Sequence, residues 1–337
     1  MKKNILLILV LTLSILLLIA GCGQKEEVTT VQPEEETIVL KMGHKSSESH
    51  SWHKGCLLFK EIVEEKTNNK IKVEIYPNSQ LGNQKDMTEA SQLGVVDIVL
   101  DSPAILANFV PEMGVYDLPF VFKDYAHAYE TLDTIGMETD KPLQEVGLKL
   151  LAMWETGFKR LSGNTREIKT VEDLKGLKIR VPGSPVLTAT IKAIGANPIS
   201  IAWNECYIAL QQGTADGQFN PPSIMVENKI HEVQKYYANN LNIQYGAEPV
   251  VMSLKTWNKL SPEFQKIVQD ASIEARDYQR EICQKDDENE LQTMIDAGIK
   301  VYDVSDEVLV ELMEMTAPVR EEYADKELLD RINKLAK

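Results

Sequence analysis

Gly176–Pro222 reads GLKIRVPGSPVLTATIKAIGANPISIAWNECYIALQQGTADGQFNPP. Leu177–Val181 alternates apolar and basic residues, the period of a strand. Pro182-Gly183-Ser184-Pro185 breaks it, and Ser184 or a neighbour can cap a helix that starts near Val186 and runs to Ile194, with Gly195 ending it. Asn197–Ile201 reads as a second strand, Asn204–Gln212 as a second helix stopped by Gly213, and Ala215–Phe219 as a third, short strand. Strand–helix–strand–helix–strand is the signature of an α/β domain. In open sheets of that class ligands bind beyond the carboxyl ends of the strands. Arg180, Trp203 and Asn220 fall at three such ends. A guanidinium, an indole and an amide meeting at one edge suit a small organic anion. Taken singly, an arginine at a strand end is a surface charge and a tryptophan is core; the inference rests on one short unit bringing all three together.

Outward from this unit, the N-terminus reads as a targeting segment. Lys2 and Lys3 precede an uncharged apolar run from Ile5 to Ala20, short for a membrane span and long enough for a signal-peptide core. An uncleaved anchor helix is the other reading of such a run. Gly23–Glu36 is polar and acidic and reads as a flexible tether. The 337-residue chain carries 36 Lys and Arg against 51 Asp and Glu, a net charge of −15. Removing residues 1–21 takes away two lysines and no acids, so the remainder is more negative still. That balance argues against nucleic acid as a partner, since phosphate binding needs a basic face. It also makes any cluster of basic residues in a cleft more informative than in a neutral protein.

The remaining segments extend the α/β pattern. Ile38–Met42 is a candidate first strand, followed by Lys45 in the same way that Arg180 follows its own strand. Lys54–Thr67 is an amphipathic helix, Ile71–Ile75 a strand, Asn83–Leu93 a helix ended by Gly94, and Val95–Leu100 an apolar strand running into Asp101-Ser102-Pro103. Leu148–Trp154 is strand-like and leads to Lys159 and Arg160; in extended backbone these two point to opposite sides. Asn239–Tyr245 and Pro249–Leu254 read as two strands, with Asn242 able to reach a cleft. Pro262 opens a pattern that runs without Gly or Pro from Glu263 to Ala297, longer than an ordinary globular helix. Lys300–Val304 is a last strand and Ser305–Lys337 holds terminal helices. His44, His50 and His53 lie close together. Metal binding is the sharp reading of such a group, but loop composition and the lack of helical ligand spacing weigh against it. Cys56 and Cys206 sit in apolar helical patterns and read as core; with Cys283 they leave an odd number once Cys22 is set aside, which argues against a disulfide scaffold.

Several motifs stand in one order: YPNSQLG (Tyr76–Gly82), FVPEMGVYDLPFVFKD (Phe109–Asp124), then LKIRVP, GANP, an aromatic two residues before Glu205, ALQQG and DGQxNP. In order and spacing this resembles the solute-binding proteins of tripartite ATP-independent periplasmic (TRAP) transporters, across nearly the whole chain beyond the N-terminal segment. Leu18-Ile19-Ala20-Gly21-Cys22 is similar to a bacterial lipobox, which implies cleavage before Cys22 and diacylglycerol on its sulfur. The resemblance implies a two-lobed periplasmic-binding-protein-like fold with a ligand cleft between lobes and a long bracing helix. The expected boundaries are a lipoprotein signal peptide at 1–21, a tether at 22–36, lobe I at 37–156 plus about 243–262, lobe II at 157–242 plus about 295–337, and the bracing helix at 263–297. It implies a monomeric extracytoplasmic receptor, not an enzyme and without cofactor or metal, that delivers a small organic acid to membrane permease subunits. Presentation of the ligand to a sensor kinase is the alternative, and a cysteine enzyme built on Cys206 a remoter one. Carried over by position, Arg180 is the main carboxylate partner, Asn220 an amide contact and Trp203 an aromatic wall, while Lys45, Ser102 and Gly183 line the pocket. Lys159 stands where the family commonly has arginine, and a lysine offers a point charge rather than a bidentate fork. Phe219 replaces a polar residue; either it adds an apolar face to the site or strand alternation turns it into the core. The segment 109–124 is expected to be structural.

Overall fold

In a computed structural model, residues 37–336 are described. The expectations on the signal peptide, the tether and Cys22 therefore lie outside the described residues. The strands are β1 (Ile38–Gly43), β2 (Ile71–Tyr76), β3 (Ile98–Leu100), β4 (Leu148–Gly163), β5 (Lys178–Val181), β6 (Asn197–Ser200), β7 (Gly217–Asn220), β8 (Tyr236–Ala238), β9 (Gln244–Ser253) and β10 (Lys300–Tyr302). Their order is β2-β1-β3-β9-β4-β7-β5-β6, with β8 pairing both β4 and β10. The arrangement is the mixed α/β, two-lobed one expected. One group contains β1 parallel to β2 and β3, closed by antiparallel β9. The other contains β5 parallel to β6 and β7.

β4 joins the groups. Its residues Leu148–Lys159 pair antiparallel with β9, and Arg160–Gly163 pair with β7 and β8. The sequence pattern stopped this strand at Trp154, because Glu155-Thr156-Gly157 is neither apolar nor alternating. The structure explains the break: register shifts between Glu155 and Gly157, where Gly157 has φ +85°. A Cβ there would meet Asp287 Oδ2 at 2.8 Å and the Tyr125 hydroxyl at 3.1 Å, so the crossing needs glycine. Two other expectations change. Asn239–Tyr245 and Pro249–Leu254 are not two strands: β9 is one continuous strand that passes through Pro249, and Tyr236–Ala238 is a separate short one. β3 keeps only the last three residues of its expected span.

The decisive unit folds close to expectation. Ser184 caps the Pro185–Ala193 helix by accepting from Leu187 N, and Trp203 begins the next helix, Trp203–Gln211. Asn83 and Asp86 form a capping box on the Gln84–Leu93 helix.

The Pro262–Asp296 helix runs 35 residues and braces both groups. Gln279 receives the Glu155 N–H at 3.1 Å and donates to Glu155 O at 2.9 Å and Ser51 Oγ at 3.0 Å. Arg280 donates to both oxygens of Asp133 at 2.8 Å and to Met153 O at 2.7 Å. Further along, Asp287 accepts from Ser223 N at 3.2 Å, and Met294 packs with Cys206, Leu210 and Tyr237 of the other group. The C-terminal region divides. Helix Asp306–Met315 buries Val308 and Leu312 with the β5 core, whereas in helix Lys326–Leu335 Ile332 O accepts from His127 at 2.8 Å beside β4's first half. The last helix thus packs on the side assigned from sequence to lobe I.

Helix Ser51–Lys66 lies against the long helix with Gly55 at the contact. A Cβ on Gly55 would fall 2.6 Å from Trp154 Cζ3 and 3.2 Å from Gln279 Cβ. Trp154 is fully buried, and its Nε1 donates to Ser272 O at 3.1 Å, so it cannot give way. Gly55→Ala is expected to cost about 1–3 kcal/mol of stability by overpacking, readable as a lower denaturation midpoint at unchanged slope.

Candidate functional site

The carboxyl ends of β1, β3, β5, β6 and β7 converge on a cavity of about 670 Å³, counting its mouth. Lys45 follows β1, Ser102 follows β3, Arg180 lies within β5, Trp203 follows β6, and Phe219 and Asn220 end β7; all six line the cavity. Lys159 of β4 lines it too, opposite its β9 register partner Gln244. Gly183 stands at the wider mouth with Lys45, Gln84, Arg180 and Trp203. Asn242 does not join them. Its Oδ1 accepts from Arg160 Nε at 2.9 Å, on the far side of β4 from the cavity, so the expected reach into the cleft is corrected. The same bond shows Arg160 turned away from Lys159, as extended backbone requires. Phe219 satisfies both of its readings: it lines the cavity and packs against the Ile179–Leu241 core.

Arg180 is held from behind. Its Nε donates to Ile201 O at 2.9 Å and its guanidinium lies 5.4 Å from the Trp203 ring centroid. Only 8% of the residue is exposed, and among the described residues nothing accepts from its two terminal nitrogens. Burial lowers its pKa from the ordinary arginine value, a measure of how little water solvates the charge. Lys45 reaches across the cleft: its Nζ is 5.0 Å from the Trp52 ring on its own side and 5.9 Å from Trp203 on the other. Burial lowers its pKa, with Lys159 and Arg180 acting in the same direction and Glu248 and Asp101 opposing. A second tie across the mouth is the Asn108 side-chain N–H, which donates to Gly183 O at 3.0 Å.

Four polar wall or support residues escaped sequence reasoning: Gln84, Asp101, Asp117 and Gln244. Asp101 is fully buried; its Oδ1 accepts from Gln84 Nε2 at 2.9 Å and Ser102 N at 2.7 Å, and its Oδ2 accepts from Thr88. Burial pushes its pKa up to about 7. Asp117 lines the cavity, accepts from Gln244 Nε2, and is pushed by burial up to about 6. With Pro119 it brings segment 109–124, expected to be structural, into the cavity wall. The usable signal was the acid before Leu118-Pro119, an oddity in an otherwise apolar run. At the mouth of β1, His44 Nε2 and His53 Nδ1 are 3.1 Å apart. Among the described residues no group of three or more His, Cys, Asp or Glu is placed to hold a metal ion. Cys56, Cys206 and Cys283 are free and buried. Among the described residues no helix is long and apolar enough to cross a membrane.

The chain and its fold match known proteins. The family model described as bacterial extracellular solute-binding protein, family 7, matches residues 42–327. The C4-dicarboxylate-binding periplasmic protein DctP of Rhodobacter capsulatus is 36% identical over 322 residues, 94% of this chain and 95% of its own. The 2,3-diketo-L-gulonate-binding periplasmic protein YiaO of Escherichia coli is 35% identical over 78% of this chain and 80% of its own. Among solved structures, the sugar acid binding protein of Advenella mimigardefordensis in complex with galactonate superposes with a TM-score of 0.86 at 28% identity, covering 89% of this chain and 98% of that one. A TRAP periplasmic solute-binding protein of Sulfurospirillum deleyianum with bound succinate gives 0.83 at 32%, covering 88% and 99%. The chain belongs to bacterial extracellular solute-binding protein family 7, the solute receptors of TRAP transporters.

Proposed function

We propose that this protein is an extracytoplasmic receptor that captures a small organic acid by its carboxylate and delivers it to a TRAP membrane permease. The observation that carries the reading is Arg180: a buried fork, oriented by Ile201 O, with its terminal nitrogens unclaimed beside an aromatic face. A carboxylate completes that fork with two charge-assisted bonds, which gain strength where water is excluded. Ligands named for relatives and neighbours — diketogulonate, C4-dicarboxylates, galactonate, succinate — all carry a carboxylate. Asn220, Trp203, Lys45, Lys159, Ser102 and Phe219 complete the pocket in this reading, with Gly183 at its entrance.

Opening would swing the two sheet groups about their crossings: β4 near Gly157–Arg160, the link between β8 and β9, and the long helix. On this reading lobe I comprises about 37–156, the β9 region and the last helix. Catalysis by Cys206 is disfavoured, because the thiol is fully buried and held above its ordinary pKa, the reverse of an activated nucleophile. A lipid on Cys22 would keep the monomeric receptor at the membrane; a Cys22→Ala protein released into the soluble fraction supports this, and unchanged membrane retention refutes it.

The test of function is a thermal-shift screen of organic and sugar acids. A ligand at a hundredfold excess over its Kd stabilises by about 2.7 kcal/mol, an upward Tm shift of several degrees. A panel of mono- and dicarboxylates that leaves Tm unmoved refutes the carboxylate reading.

A further inference from the structure

The three cations of the cavity are not equivalent. Lys45 has the buried carboxyls of Glu248 and Asp101 as attractive neighbours, and Lys159 is the charge that acts most strongly on Asp117. The protein thus already supplies a counter-charge to each lysine. Arg180 has none: the one titratable group pulling on it is the Cys206 thiol, which is neutral. In a pocket closed to water, the charge left unmatched sets the charge the ligand must bring. Here that is one carboxylate, at Arg180.

The opposite wall calls for something else. Asp117 is 1% exposed; one of its oxygens accepts from Gln244, and the other, Oδ2, is buried without a hydrogen-bond partner. Asp101 differs, since both of its oxygens are taken by Gln84, Ser102 and Thr88. An acceptor left unsatisfied in a buried wall costs free energy until a donor arrives. A ligand hydroxyl is such a donor. A second ligand carboxylate is not: it would face the Asp117 carboxylate in low dielectric, and like charges there repel strongly. The Ser102 hydroxyl and the Gln84 amide, on the same wall, can each bond further hydroxyls.

We infer that the ligand is a hydroxylated monocarboxylate, of the aldonate or related hydroxy-acid class, and that Asp117 is the residue that selects it by accepting a hydroxyl and rejecting a second carboxylate. The inference rests on Arg180 holding the carboxylate, as proposed above. The site then reads as two ends. Arg180, Trp203 and Asn220 hold the acid, and Asp117, Ser102 and Gln84 read the hydroxyl groups.

The experiment is calorimetric titration of the purified protein at pH 7.5 with D-galactonate, D-erythronate and succinate, repeated on Asp117→Asn and Arg180→Ala. The expected result is binding of a hydroxy acid at least tenfold tighter than succinate. Asp117→Asn should weaken the hydroxy acid about tenfold, the worth of one charge-assisted hydrogen bond, and leave succinate equal or tighter. Succinate binding as well as the hydroxy acids, or a hydroxy-acid affinity unmoved by Asp117→Asn, overturns the selectivity while leaving the carboxylate reading intact. Binding that survives Arg180→Ala, or no binding of any of the three acids, overturns the inference together with the reading beneath it. The wild-type ranking decides the matter even if Asp117→Asn folds poorly.

Discussion

Arg180→Ala is expected to lower affinity for the cognate acid by a hundredfold or more, about 3 kcal/mol. The truncation leaves a ligand carboxylate in a water-poor pocket without its fork. Arg180→Lys should lose less, since it keeps the charge but not the planar pair of donors. The variant carries a second, opposite signature. In the ligand-free protein Arg180 is a buried cation without a carboxylate partner, and its Nε–Ile201 O bond is the one hydrogen bond its side chain makes among the described residues. Removing it relieves a desolvation cost, so the unliganded Tm should hold or rise while binding disappears. A residue with a structural role would lose both together. Titration of the wild-type ligand and a melting curve of the free protein, run on the same preparation, separate the two cases; a variant that binds normally, or one that melts early, removes Arg180 from its assigned role.

How much of this site was legible follows from how the information is stored. Arg180, Trp203 and Asn220 lie within one strand–helix–strand–helix–strand unit, so local periodicity and turn residues sufficed to bring them to one edge. Lys45 and Ser102 were reachable by the same rule applied to β1 and β3. Asp117 and Gln244 were not: they meet because segment 111–120 docks on the start of β9, where the Phe120 N–H donates to Ile243 O at 2.8 Å, across 127 residues of sequence between Asp117 and Gln244, and no local pattern records that contact. β4 itself shows why the strand crossing was missed. Its middle carries a glycine at positive φ and buried polar residues, Glu155 and Thr156, whose partners come from the long helix, Tyr129, Tyr245 and Glu248. A segment whose hydrogen bonds are satisfied by distant elements looks, in sequence, like a loop. Asn242 failed for the reverse reason: the expected strand began at Asn239, whereas β9 begins at Gln244, and in the link before it Asn242 turns to Arg160 instead of the cleft.

The buried acids of this chain set its response to pH, and the sign is unusual. Burial pushes Glu227 up to about 8, Glu155 and Asp101 up to about 7, and Asp117 and Asp287 up to about 6, all above the ordinary carboxylate range. An acid whose pKa is raised on folding holds more protons in the native state than in the unfolded one. Its stability contribution is full below the unfolded value and is lost as pH rises through the folded value. His44 and His50 act oppositely: burial lowers both below 6.5, His44 to about 3, so the unfolded chain takes up their protons and stability falls as pH drops under 6.5. Lys45, lowered by burial, also acts oppositely to the acids, from its folded value up to the ordinary lysine value. Between pH 8 and pH 6.5 the acids Glu227, Glu155 and Asp101 dominate. The ligand-free protein should therefore gain stability on mild acidification, on the order of 3 kcal/mol over that interval. Glu227 carries the largest share: its buried Oε2 has no hydrogen-bond partner and lies 3.9 Å from His50 Nε2, with Asp286, Asp287 and Glu290 adding to the burial effect. Urea unfolding at pH 6.5 and pH 8 measures the difference, and Glu227→Gln should remove about half of it. A midpoint that is flat between the two pH values, or one that rises toward pH 8, would mean that water or a counter-ion reaches these carboxyls and keeps them ionised.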